Sequence, residues 1–195
     1  SAFANPDAAA SQSQSPRVTD LALGGSLSET RYPKAGQTNP QVRSGIVDLT
    51  SECMGCPMRC EDAVTWADFD PSLDQYFGIP FWGPDSQEFF VARMPRLQNT
   101  IDLYAVNVAD GSKRHVYNET YKTWLNWFDG VVFTDNGLYM AREFETGWQQ
   151  IYFLSYDGSQ FRRLTDGPNW NVAIVRVDEK KGDVYFTAKR DAVAK

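Results

Sequence analysis

Apolar and polar positions alternate in short runs along most of this chain, and acidic or glycine-bearing turns separate the runs. Gln150-Ile151-Tyr152-Phe153-Leu154-Ser155-Tyr156 runs up to Asp157-Gly158, and Phe161-Arg162-Arg163-Leu164-Thr165 leaves it. Period-two patterning on both sides of an Asp-Gly pair predicts a β-hairpin, because glycine supplies the positive φ of a tight turn at no steric cost. Runs of the same kind predict strands at Gln41 to Leu49, Tyr76 to Trp82, Gln87 to Met94, Thr100 to Val108 and Lys113 to Tyr117. Val131 to Thr134, Leu138 to Phe144, Asn171 to Val177 and Val184 to Lys189 read the same way.

The pattern repeats. Asp110-Gly111-Ser112 and Asp157-Gly158-Ser159 lie 47 residues apart, each after an alternating run. A second marker keeps the same register. Val91-Ala92-Arg93, Met140-Ala141-Arg142 and Thr187-Ala188-Lys189 each end a strand-like run, with their alanines 49 and then 47 residues apart. Each of these runs follows its own acidic turn, at Asp85-Ser86, at Asp135-Asn136-Gly137 and from Asp178 to Gly182. A period of roughly 40–50 residues with about four short strands per unit is the signature of propeller blades. The fold class is therefore all-β, a partial β-propeller of about three antiparallel four-stranded blades. A β-sandwich is the competing reading.

Composition narrows this little. Aromatic residues make up 14% of the chain, which suits strands. The net charge of −6 argues against nucleic acid or an anionic membrane as partner. No apolar run approaches the ~18 residues of a transmembrane helix, and no signal peptide is visible. Residues 1–28 read as a mobile tail or linker, rich in Ala, Ser and Gln and then in small residues around Gly24-Gly25. Residues 29–195 read as the propeller portion.

Cys53, Cys56 and Cys60 form a Cys-x₂-Cys-x₃-Cys run with Met54 and Met58 between them. Three sulfurs are one ligand short of a closed metal site, and the sole histidine, His115, is far along the chain. A metal site, one disulfide with a spare thiol, and three reduced cysteines all stay open; no metal or cofactor is assigned. The loop is expected at the surface as a local insertion. Asn118-Glu119-Thr120 is a glycosylation triplet, of weight only in a eukaryotic secretory setting.

Several segments in sequence order resemble the N-terminal domain of the dipeptidyl peptidase IV family. Tyr32-Pro33-Lys34-Ala35-Gly36 with Asn39-Pro40 is similar to its tyrosine-proline-x-alanine-glycine segment, and Trp82-Gly83-Pro84-Asp85 to its tryptophan-x-proline-aspartate turn. Arg93-Met94-Pro95-Arg96-Leu97-Gln98-Asn99 resembles its arginine-rich turn. Glu145-Thr146-Gly147-Trp148, Tyr152, Leu164-Thr165, Gly167, Trp170, Val172 and Tyr185-Phe186-Thr187-Ala188 follow in the family's order. Asp68-Phe69-Asp70 before Asp74-Gln75-Tyr76 looks more like bacterial dipeptidyl and prolyl tripeptidyl peptidases than the animal enzymes. The cysteine loop and an extra residue within Gly167-Pro168-Asn169-Trp170 depart from the family pattern.

The resemblance implies a piece of a longer serine exopeptidase that releases N-terminal di- or tripeptides and prefers proline. It implies a ring of about eight blades stacked on a C-terminal α/β-hydrolase domain. In such a protein the propeller gates and helps bind the peptide substrate. The parent would sit in a periplasmic, cell-surface or extracellular setting. This chain carries no Gly-x-Ser-x-Gly elbow, so no catalytic residue is assigned to it. Thr123-Trp124-Leu125-Asn126-Trp127-Phe128-Asp129 resembles the segment that faces the extended substrate subsites, which makes Trp127 and Phe128 the substrate-binding candidates. Inter-blade packing is the competing role, and Trp124 is assigned to it. Trp82, Trp148 and Trp170 are expected in blade cores, Arg93 and Arg96 beside carboxylates, and His115 at a surface or edge. Trp66, Phe81, Phe90, Tyr152 and Phe186 are expected on faces left open at the ends of a partial ring, which would favour self-association. A stand-alone propeller binding a protein or glycan, and a metal-binding module built on the cysteines, are the readings from other classes.

Overall fold

The computed structural model describes residues 3–4, 17–21, 27–31, 33–34, 36–48, 64–128 and 130–190. Every regular element among the described residues is a β-strand. Cys53, Cys56 and Cys60 lie outside them. Short strands come first. β1 (Phe3–Ala4) pairs with β4 (Val42–Arg43), β2 (Arg17–Leu21) with β3 (Leu27–Arg31), and β5 (Gly45–Val47) with β6 (Val64–Trp66). The β2–β3 hairpin lies across residue 28, where composition divides tail from propeller.

Two full blades follow. The first holds β7 (Gln75–Phe77), β8 (Phe81–Trp82), β9 (Glu88–Pro95), β10 (Thr100–Asn107) and β11 (Lys113–Thr120). Its order is β11-β10-β9-β7, with β8 also on β9. The run expected as one strand from Tyr76 to Trp82 is thus two, because Gly78-Ile79-Pro80 interrupts it and Pro80 has no N–H to give a ladder. The second blade is the meander β12 (Val132–Phe133), β13 (Gly137–Arg142), β14 (Gln150–Ser155) and β15 (Phe161–Arg163). β16 (Trp170–Asp178) and β17 (Asp183–Lys189) pair as the start of the next unit. The chain is an all-β partial propeller.

The repeat markers fall on equivalent places. Asp110-Gly111 and Asp157-Gly158 each turn the third strand of a blade into its outer strand, and Asp135-Asn136-Gly137 joins β12 to β13. Asp110 Oδ1 accepts the Ser112 N–H at 2.9 Å, and Asp157 Oδ1 accepts the Ser159 N–H at 3.0 Å and the Ser155 hydroxyl at 2.6 Å. These bonds, the Ser155 hydroxyl foremost, hold the Asp157 carboxyl down at about 2.

The core lies between the two blades. Phe90, Met94, Ile101 and Leu103 of the first pack with Leu138, Met140, Tyr152 and Leu154 of the second. Alternation along each strand puts these side chains on facing sheet surfaces. Phe90 and Tyr152, expected on open faces, are therefore buried here, since the interface between the two complete blades claims them. Trp82, Trp148 and Trp170, expected in blade cores, are exposed. Each sits at a strand end or turn, where an indole can lie on the blade surface: Trp82 meets Phe89 at 6.5 Å, and Lys189 Nζ lies 4.8 Å from the Trp170 ring. The expected arginine pairings hold, with Arg96 Nη1 3.0 Å from Asp74 Oδ2 and Arg93 Nη1 3.7 Å from Asp102 Oδ2. His115 stands half-exposed on the outer strand β11, its Nε2 3.2 Å from Asp102 Oδ1.

Candidate functional site

The segment from Tyr121 to Val131 carries the chain from β11 to β12, from one blade to the next. Two backbone bonds fix its start: the Tyr121 N–H donates to Asn99 O and the Leu125 N–H to Gln98 O, both at 2.9 Å. Leu125 is the side chain that goes into the core. Trp124, expected to pack, is 65% exposed instead, because neighbours in an extended segment point to opposite sides and Leu125 occupies the inner one. Trp127 and Phe128 are half-buried and rest against the inter-blade core.

A buried ion pair holds this segment. Arg142, the last residue of β13, meets Glu119 of β11 with its Nε 2.7 Å from Oε2 and its Nη2 3.0 Å from Oε1. The Glu119 side chain is 0% exposed and the Arg142 side chain 5%. The fork left over on Arg142 turns to the linker: Nη1 donates to Asn126 O at 3.1 Å and to Trp127 O at 3.3 Å. Its guanidinium carbon lies 5.0 Å from the centre of the Phe128 ring. The Tyr117 hydroxyl completes the group by donating to Glu119 Oε2 at 2.9 Å.

Burial, with the Glu119 charge beside it, pushes the Tyr117 phenol far above its ordinary value of 10.0. Burial also raises Tyr152, whose hydroxyl donates to Glu145 at 2.8 Å. The folded protein keeps these protons at a pH where the unfolded chain loses them. Stability should be full below about pH 10 and fall as pH rises beyond it. Thermal midpoints measured from about pH 8 to 11 should drop over the upper part of that range, and less in Tyr117→Phe. An unchanged midpoint throughout would contradict the assignment.

Trp127 and Phe128 form one wall of a cleft of about 420 Å³. Phe77 to Phe81 line it as well, with Ala92, Val131 and Phe133. Gly78 is the floor under Trp127: a Cβ there would stand 3.0 Å from the indole. Phe81 joins the two blades, 4.4 Å from Phe133 and stacked on Phe90 at 5.5 Å. Ile79, 92% exposed, rises at the rim. None of the lining side chains ionises, so the cleft can take an apolar group out of water but cannot move a proton. No group of His, Cys, Asp or Glu that could hold a metal forms among the described residues.

Trp127 and Phe128 line the cleft together with Phe77 to Phe81, part of a run read from the sequence as a strand, with Phe81 on an open face. Glu119 and Arg142 were missed. Glu119 lay hidden in a glycosylation triplet, and the available signal was a charged residue at an inward position of an alternating strand. The Gly167–Trp170 turn, within which the extra residue falls, is anchored as well. Asn169 is fully buried, donates to Gln150 Oε1 at 3.0 Å and accepts from Arg190 Nε at 2.8 Å.

Known proteins resemble this chain in sequence and in fold. The model of the dipeptidyl peptidase IV (DPP IV) N-terminal region matches residues 8–195. Dipeptidyl peptidase 4 of the fungus Arthroderma otae is 30% identical over 173 residues, which are 83% of this chain and 21% of that protein. The enzyme of the same name from Trichophyton rubrum is 28% identical over 170 residues, with the same shares. The chain thus spans about a fifth of the length of these curated relatives. The crystal structure of Porphyromonas gingivalis dipeptidyl peptidase 4 shares the fold, with a TM-score of 0.65 and 20% identity over 91% of this chain and 24% of that one. With a family match over nearly its whole length and a blade architecture to go with it, this chain belongs to the dipeptidyl peptidase IV N-terminal region family.

Proposed function

We propose that this chain is the non-catalytic propeller wall of a serine exopeptidase that removes N-terminal di- or tripeptides, with a preference for proline. The active site would lie against a C-terminal α/β-hydrolase domain, in a periplasmic, cell-surface or extracellular enzyme. The propeller's part is to restrict access and to receive the peptide. One observation supports the binding role: Trp127 and Phe128, in a segment that resembles the family's peptide-facing one, also line an apolar cleft of about 420 Å³. Proline and other apolar side chains suit such a lining, because burying one contributes about 1.5–3 kcal/mol and no polar partner is required.

The test uses the intact enzyme. Trp127→Ala and Phe128→Ala should each raise KM for apolar peptides about tenfold while kcat stays nearly constant, the pattern of lost ground-state binding. Unchanged kinetics in both variants would end the cleft's role in substrate binding. A gene that encodes no hydrolase domain after Lys195 would remove the enzyme reading itself.

A further inference from the structure

We infer that Arg142 and Glu119 are positioning residues: they set the height and angle of the Trp127–Phe128 wall at which the peptide is received. The inference rests on the reading of the cleft given above. It adds the residues that hold the wall, neither of which lines the cleft.

Among the described residues the linker from β11 to β12 forms no strand between Tyr121 and Val131, and Leu125 is its one buried side chain. The Tyr121 and Leu125 N–H bonds to Asn99 O and Gln98 O fix its start, and the Asn126 side-chain amide donates to Glu143 Oε1 at 3.2 Å. The carbonyls of Asn126 and Trp127 accept from Arg142 Nη1, at 3.1 and 3.3 Å. The guanidinium also lies 5.0 Å from the Phe128 ring centre. One side chain therefore touches the backbone of one wall residue and the ring of the other. That side chain is in turn held in place, because Glu119 engages its other edge bidentately and Glu119 is held from behind by the Tyr117 hydroxyl. Glu119 belongs to one blade and Arg142 to the next, so the wall is referenced to both sides of the cleft it bounds.

Chemistry selects arginine for this task. A planar fork can satisfy a carboxylate on one edge and two carbonyls on another in a single fixed geometry. Lysine brings the same charge to Glu119 but cannot span both sets of acceptors. Arg142→Lys therefore separates positioning from charge balance. The double variant Glu119→Gln/Arg142→Met removes the fork without leaving a lone buried charge, and guards against a variant that merely fails to fold.

The intact enzyme is examined by hydrogen–deuterium exchange and by steady-state kinetics with apolar peptides. In Arg142→Lys and in the double variant, amides from Trp124 to Phe128 should exchange at least about tenfold faster while β9, β10 and β14 keep their protection. KM should rise about tenfold with kcat little changed, and Arg142→Lys should lie between wild type and the double variant. Unaltered exchange in the linker would overturn the inference, as would loosening of both blades together or a looser linker with unchanged KM. Trp127→Ala distinguishes the two levels: if it raises KM while the Arg142 variants leave KM and exchange alone, the cleft binds peptide and the positioning role fails. If Trp127→Ala has no effect either, the reading of the cleft fails with it.

Discussion

Glu119→Ala is expected to lower folding stability by about 3–5 kcal/mol, among the largest losses from any single substitution in these blades. The reason is asymmetric. The substitution leaves the Arg142 guanidinium buried between two blades, with its Nε and Nη2 stripped of the carboxylate they met at 2.7 and 3.0 Å. Only 5% of the Arg142 side chain is exposed, so water replaces the carboxylate poorly, and the Tyr117 hydroxyl loses its acceptor at the same time. An unpaired buried charge costs far more than the intact pair contributes, because pairing only offsets the desolvation that both groups suffer. Glu119→Gln/Arg142→Met should therefore be much closer to wild type than Glu119→Ala, although it changes more atoms. Denaturant midpoints of the three proteins decide this. If Glu119→Ala unfolds within about 1 kcal/mol of wild type, the pair is not desolvated as described.

The second large effect is expected at the Asp-Gly turns. Gly111→Ala and Gly158→Ala should each lose about 2–4 kcal/mol, whereas Gly147→Ala should lose only about 1 kcal/mol. All three glycines have positive φ, at 74°, 76° and 77°, so each alanine carries the same backbone strain. Their surroundings differ. A Cβ on Gly111 would overlap the carbonyl oxygen of Trp66, and one on Gly158 the carbonyl oxygen of Val116. A Cβ on Gly147 meets nothing within 4 Å. Trp66 ends β6 and Val116 lies in β11, each the outer strand of the preceding sheet. Each turn therefore seats against the backbone of the sheet before it, and the Asp68 N–H donates to Gly111 O at 2.9 Å across the first contact. Relief requires the sheets to part. Equal losses at all three glycines, read from thermal midpoints, would mean that the seating has slack enough for a methyl group.

Those glycines also show what kind of information the sequence carried. Asp-Gly between alternating runs identifies a hairpin locally, since positive φ and period two are properties of a few consecutive residues. The 47-residue spacing of the two turns then identifies a repeated unit. Strand positions, the all-β class and the repeat were legible for that reason. The seating of one blade's turn on another's backbone is not encoded in either turn alone.

The same division runs through the rest of the chain. An aromatic residue is apolar wherever it stands, so the sequence could not separate Phe90 and Tyr152, which the inter-blade core buries, from Trp82, Trp148 and Trp170, which it leaves exposed. Between Trp124 and Leu125 the choice of inner side was decided by the Leu125 N–H bonding to Gln98 O on another turn. Glu119 and Arg142 are 23 residues apart and belong to different sheets. Their meeting depends on the register of β10 with β11, the register of β13 with β14, and the packing of one sheet on the other. By itself the sequence determined which residues extend, where they turn and how often the unit recurs, because those follow from neighbours along the chain. Only the tertiary structure decided which apolar faces meet and which charges are buried, because those follow from neighbours that the fold brings together.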